Sequence, residues 1–128
     1  MISKGLIGKS ELIVSEQDTA AAVGSGTLNV LATPKVAALM ELTAWKSLGD
    51  GLEEGATTVG TFLSLSHLAP TPVGARVQCE SCLEEINGKE LTFRLTASDG
   101  SGIIARAEHK RVIVNTARFL SKAESRTN

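Results

Sequence analysis

The spacing of apolar and polar residues changes once along this chain. Over residues 34–48, PKVAALMELTAWKSL, apolar residues occupy nearly every face of a 3.6-residue repeat, interrupted by Lys35, Glu41 and Lys46. The pattern predicts a long helix, with Thr33 at its N-cap, Pro34 at the first helical position and Gly49 just past its end. From residue 57 the period becomes two. Strands are expected over 57–68, 75–86, 90–98 and 103–114, with one more over 6–16 ahead of the helix. Asn87-Gly88 tolerates positive φ at both positions and marks a tight hairpin; the DGSG run at 99–102 marks another. Residues 50–56 and the APTPVG run at 69–74 read as loops. The small-residue stretch 17–32 reads as a helical turn at 18–22 and then a loop. The polar tail from Asn115 is expected to fray beyond about residue 120.

The element order is therefore strand, helix, then four strands in a meander. A five-stranded antiparallel sheet with one long helix on its face accounts for each of them. A helix that is apolar on almost all sides should be wrapped by a curved sheet, which is the hot-dog architecture, an α+β fold. At 128 residues the chain is expected to form a single domain over 1–128.

Glu41 stands out against this helix. It shares a face with Ala37, Ala38, Ala44, Trp45 and Leu48. A carboxylate buried there is costly unless something pairs with it, and costly carboxylates of this kind are common where acid–base chemistry is done. The competing reading is a surface residue that reaches solvent past Trp45.

Composition narrows the function classes. A net charge of −1 leaves no electrostatic footprint for nucleic acid or an anionic membrane, and four aromatics give no base-stacking platform. No apolar run is long enough to span a membrane, and MISKGLIGKSE does not read as a secretory signal, so a cytoplasmic protein with reduced thiols is expected. Cys79 and Cys82 form a C-x-x-C, but residues three apart on a strand point to opposite faces, so neither metal nor dithiol chemistry is expected. His67 lies near the end of a mostly apolar strand face with Val59, Thr61, Leu63 and Leu65. It is a candidate proton carrier or, more simply, a satisfied histidine at a sheet edge. His109, in the charged run EHKR, has no apolar setting and reads as structural. Gly60 interrupts a strand of good β-formers and marks a bend or a place where a ligand meets the backbone. Thr33 and Glu41 are eight residues apart, about 12 Å along the axis, so a substrate or partner subunit would have to bridge them.

Three runs carry a resemblance: ATPKVAALMELTAWKSL (32–48), TTVGTFLSLSHLAPTPVG (57–74) and NGKELTFRLTASDGSGIIARAEHKR (87–111), with DTAAAVGSG at 18–26. Together they resemble the fluoroacetyl-CoA thioesterase-like family of hot-dog proteins. The resemblance implies a catalytic set of Thr33, Glu41 and His67, with Gly60 near the substrate carbonyl. It implies hydrolysis of an acyl-CoA, here expected to be short-chain, with CoA bound as part of the substrate and no metal or other cofactor. It also implies a homodimer with sheets joined edge to edge and active sites at the interface, which would bring Glu41 or Thr33 towards a partner's His67. Further pairing into tetramers is left open, as is the choice between fluoroacetyl and other acyl groups. The H-G-G loop of phenylacetate-type thioesterases and the Asn-Pro-like turn of the hydratase branch are not found. A non-catalytic acyl-CoA or small-acid binding protein on the same fold is the alternative.

Overall fold

A computed structural model describes residues 2–127. In chain order it contains β1 (Ile7–Ile13), a 3-10 turn (Glu16–Asp18), α1 (Ala20–Val23), α2 (Thr33–Ser47), β2 (Ala56–His67), β3 (Arg76–Asn87), β4 (Glu90–Asp99), β5 (Gly102–Asn115) and α3 (Thr116–Glu124). The five strands form one antiparallel sheet in the order β1-β3-β4-β5-β2. The hot-dog arrangement of sheet and central helix is as expected, but the meander is not. Only β3, β4 and β5 follow one another; β2 joins the far edge beside β5. The link between β2 and β3 contains Pro70 and Pro72, which cannot donate to a ladder, and it crosses from the β2 edge past β5 and β4 to β3 instead of closing a hairpin.

The core lies between α2 and the concave face of the sheet. Val36, Leu39, Met40 and Ala44 of α2 meet Val77, Cys79 and Leu83 of β3, Leu91, Phe93, Leu95 and Ala97 of β4, and Ala105 and Ala107 of β5. On β3, Cys79 faces this core and Cys82 does not, so the two thiols point apart and both are free. Contact between α2 and β1 is closest at Gly8. A Cβ there would stand 2.6 Å from the Ser47 Cβ and the Ser81 Oγ, and 2.9 Å from the Thr43 carbonyl oxygen. A hydrogen bond between Ser10 Oγ and Thr43 Oγ1 holds the same contact.

The helix is not buried on all sides. Ala38 and Trp45 are exposed and Glu41 and Leu42 half-buried, so the face carrying the carboxylate is open in the single chain. The tail also departs from expectation. Asn115 caps α3 by accepting the Arg118 N–H at 3.0 Å, and the chain stays helical to Glu124 rather than fraying at 120. An Asn at the N-cap satisfies one of the orphan amides that would otherwise open the end. No helix among the described residues is long and apolar enough to cross a membrane.

Gly8→Ala overpacks the helix–sheet contact and is expected to destabilise the fold by roughly 1–3 kcal/mol. A chemical-denaturation midpoint unchanged from wild type would show that the helix can ride outward freely there.

Candidate active site

Two loops meet at the start of α2. Leu31 donates its N–H to the Thr71 carbonyl at 2.9 Å, Val30 bridges to Pro72, and Ala32 donates to the Asp18 carbonyl at 2.9 Å. Leu68, just after β2, donates to the Ile104 carbonyl at 2.7 Å. These bonds tie the first residue of α2 to the last residue of β2. Thr33 Oγ1 consequently lies 2.7 Å from His67 Nδ1. The expected N-cap role of Thr33 is therefore not observed. Ala32 is the capping position, Thr33 is the first helical residue and Pro34 the second, and the hydroxyl is turned to His67 instead of to a helix amide. Burial pulls the His67 pKa below its ordinary value, opposed by the backbone at Ala69. The ring is thus neutral near pH 7, with Nδ1 able to accept the threonine proton. A cavity of about 290 Å³ opens beside the pair, lined by Ala20, Ser25, Val30, Leu31, Leu68 and Pro70 among others.

The second cluster depends on a bulge in β2. Gly60 pairs with Arg111 and Phe62 with Lys110, leaving Thr61 as an extra residue. Seven residues separate Gly60 from His67, so an unbroken strand would put them on opposite faces. The bulge shifts the alternation by one. Gly60, Leu63, Leu65 and His67 all pair with the inward residues Arg111, His109, Ala107 and Ala105 of β5. Gly60 thereby faces the helix, and its missing side chain is what admits Glu41. A Cβ at Gly60 would collide with Glu41 Oε2 and would stand 3.2 Å from His109 Cε1 and 3.3 Å from Arg111 Nη1.

Glu41 is therefore not alone. Arg111 Nη1 donates to its Oε2 at 3.2 Å and is also 3.1 Å from His109 Nε2. The guanidinium is fixed from behind by Thr58, with Nε donating to Oγ1 at 2.8 Å and Nη2 to the carbonyl at 3.1 Å. Arg111 and His109 are buried, whereas the Glu41 side chain is 45% exposed. Burial lowers the Arg111 pKa and the carboxylate pulls it back up; the group stays cationic. Burial also lowers the pKa of His109, with the Phe62 carbonyl opposing and Arg111 reinforcing the shift.

The structure thus brings Thr33 to His67, and Gly60 to Glu41, in two separate clusters. Within one chain it does not bring Glu41 to Thr33 or His67. The expectation that His109 has no apolar setting is corrected: it is 1% exposed and packs against Phe93, Gly60 and Arg111. Arg111 was not singled out at all. The signal for both was present in the alternation Ala105, Ala107, His109, Arg111, which places two polar residues on the inward phase set by two alanines. Among the described residues no group of His, Cys, Asp or Glu could hold a metal ion.

A five-stranded sheet wrapped on one central helix, with polar clusters at the open face of that helix, makes this a hot-dog protein. Comparison with known proteins gives the family. The model of the fluoroacetyl-CoA-specific thioesterase family matches residues 14–117. The fluoroacetyl-CoA thioesterase of Streptantibioticus cattleyicolor is 31% identical over 98 residues, covering 77% of this chain and 70% of that protein. A solved structure of the fluoroacetyl-CoA thioesterase FlK superposes with a TM-score of 0.95 at 25% identity, covering 100% of this chain and 99% of that one. A thioesterase-superfamily member from Thermus thermophilus superposes with a TM-score of 0.90 at 26% identity, covering 98% and 93%. The chain belongs to the fluoroacetyl-CoA-specific thioesterase family.

Both histidines have pKa values depressed by folding, so below about pH 6.5 the unfolded chain binds more protons than the native one. Stability is expected to fall as pH drops through about 6.5 toward the depressed native values and to be regained on raising it. Equal urea midpoints at pH 7 and pH 5 would contradict the neutral state of the two rings.

Proposed function

We propose that this protein hydrolyses a short-chain acyl-CoA thioester to the free acid and CoA, with Glu41, Thr33 and His67 as catalytic residues and Gly60 as a backbone contact of the substrate carbonyl. The observation that carries this is the state of Glu41. Its Oε2 is engaged by a buried arginine, while Oε1 has no partner among the described residues and faces the open side of α2. A carboxylate held in one orientation and left half free is suited to take a proton from an attacking water. The carbonyl oxygen of the thioester is placed at the backbone of Gly60, the residue against which Glu41 Oε2 sits. The proton that Glu41 takes from water is returned to the departing CoA thiolate, relayed by the Thr33 hydroxyl and the neutral His67 ring. The thioester gains water and loses the thiol, with no redox step; CoA enters as part of the substrate, and no separate cofactor is assigned.

The two clusters are united by a second copy of the chain. β2 is an edge strand, with Phe62 and Leu68 exposed along it and Trp45 exposed beside it on α2. An uncovered edge of twelve residues is an invitation to pair. On β5 the partners of Gly60 and His67 are Arg111 and Ala105, six positions apart, and the residue midway is Glu108, the partner of Ser64. An antiparallel β2–β2 pairing with its twofold axis at Ser64 sets Gly60 of one copy opposite His67 of the other. Because of the bulge, this register keeps inward residues opposite inward residues. Each copy then contributes Glu41 and Gly60 to one site and Thr33 and His67 to the other.

Release of CoA thiol from a panel of acyl-CoAs, acetyl and fluoroacetyl through long-chain and phenylacetyl, is expected to show turnover of a short-chain member. Glu41→Gln should lower kcat by roughly 100-fold or more while the fold is kept. Tight acyl-CoA binding without turnover would establish the binding-protein alternative. In the proposed register Ser64 faces itself across the axis at about 5 Å between Cβ atoms, so Ser64→Cys should form an interchain disulfide on mild oxidation. A variant that stays uncrosslinked while the protein is dimeric would exclude this register.

The acid side of the rate profile follows from His67. Its pKa is depressed by burial, so kcat/KM is expected to fall only below the ordinary histidine value of about 6.5. A profile flat from pH 5 to 9 would remove His67 from proton transfer.

A further inference from the structure

We propose that His109 is a positioning residue for Glu41, acting through Arg111: its unprotonated Nε2 accepts from Arg111 Nη1 and so aims that nitrogen at the carboxylate. The inference rests on the assignment of Glu41 as the catalytic base.

The tautomer of His109 follows from its two polar neighbours. Nδ1 lies 2.8 Å from the Phe62 carbonyl oxygen, which can only accept, so Nδ1 carries the proton. Nε2 lies 3.1 Å from Arg111 Nη1, which can only donate, so Nε2 presents its lone pair. Phe62 is the residue at which the β2–β5 ladder resumes after the bulge, so the feature that turns Gly60 inward also supplies the carbonyl that fixes this ring.

The consequence for Arg111 is geometric. Thr58 holds Nε and Nη2, which leaves the guanidinium to tilt about the line between them. His109 and Glu41 share Nη1, at 3.1 and 3.2 Å. A guanidinium with an acceptor on each of these nitrogens has one orientation; without His109, Nη1 is free to follow Glu41 wherever the carboxylate swings. The ring also fills space, standing 6.3 Å from the Phe93 ring. The charged groups facing it are Glu41 from α2, with Oε2 3.9 Å from Nε2, and Arg111 from its own strand. Thr58, Gly60 and Leu63 from β2 and Phe93 from β4 are uncharged.

His109→Phe keeps the volume and removes both hydrogen bonds. His109→Gln keeps a carbonyl for Arg111 and an amide for Phe62. With the acyl-CoA that wild type turns over, His109→Phe is expected to lose about 10- to 100-fold in kcat with KM within about twofold, and His109→Gln to recover most of that loss. In a Glu41→Gln background His109→Phe should add little further loss, because its effect runs through that carboxylate. Long-range proton–nitrogen correlation on the wild-type protein, which needs no variant to fold and no turnover, is expected to show His109 as the Nδ1–H tautomer, neutral at pH 7. An Nε2–H tautomer, a charged ring at that pH, a kcat for folded His109→Phe within twofold of wild type, or equal losses in the Phe and Gln variants would each overturn the proposal. If the wild-type protein hydrolyses no acyl-CoA, the catalytic reading of Glu41 falls with the activity, and the tautomer alone then decides whether His109 orients Arg111.

Discussion

One extra residue in β2 decides what the sheet presents to the helix. Were Thr61 accommodated in a regular ladder, Gly60 and His67 would lie on opposite faces, and no pairing of copies could put both in one cleft. The bulge reverses the alternation between them. It sets the glycine beneath Glu41, keeps His67 at the mouth of the Thr33 cavity, and frees the Phe62 carbonyl for His109. Residues seven apart in sequence come to share a face, and the chemistry of the cleft follows from that shared face.

The rest of the arrangement is a division of labour along α2. At its first residue the helix carries a hydroxyl bonded to a neutral imidazole; two turns later it carries a carboxylate bonded to a buried guanidinium. The two ends differ in what their surroundings do to charge. Around His67, burial favours the uncharged ring. Around Glu41, a buried guanidinium within hydrogen-bond reach holds one carboxylate oxygen, and nearly half of the side chain remains open for a water or substrate. The hydroxyl–imidazole pair and the carboxylate–guanidinium pair are thus kept apart within one chain. The apolar surface left open by Ala38, Trp45 and Phe62 flanks the Glu41 cluster, where cover by a second copy would also dry the site.

Local pattern carried much of this into the sequence. The helix and the strands are found within one or two residues of where their periods place them, apart from the early end of β1, because those periods are imposed by side-chain direction alone. The family resemblance picked out Thr33, Glu41, His67 and Gly60, and these are the residues that line the two clusters. Strand order was not legible: which edge β2 joins depends on the path of the proline-containing link, and a meander satisfies the same periods. The helix face around Glu41 was read as buried because composition cannot distinguish a face covered by its own sheet from one left for another chain. His109 and Arg111 were hidden by their neighbours Glu108 and Lys110, which make the segment look like a solvated charge run. Only the phase of Ala105 and Ala107 shows that every second residue points inward. The cap of α3 was missed because a polar tail with one Asn looks the same whether helical or frayed.

The central claim is that each active site takes Thr33 and His67 from one copy and Glu41 and Gly60 from the other. Mixing inactive Thr33→Ala and Glu41→Gln proteins, with subunit exchange by denaturation and refolding, tests it directly. In half of the resulting dimers one site receives Thr33 and His67 from the Glu41→Gln copy and Glu41 from the Thr33→Ala copy, and is intact. Activity should therefore return to about a quarter of the wild-type value at equal mixing, as expected for a twofold-symmetric dimer. A mixture that exchanges subunits and stays inactive would mean that each site is built within a single chain, and the two-copy account would be wrong.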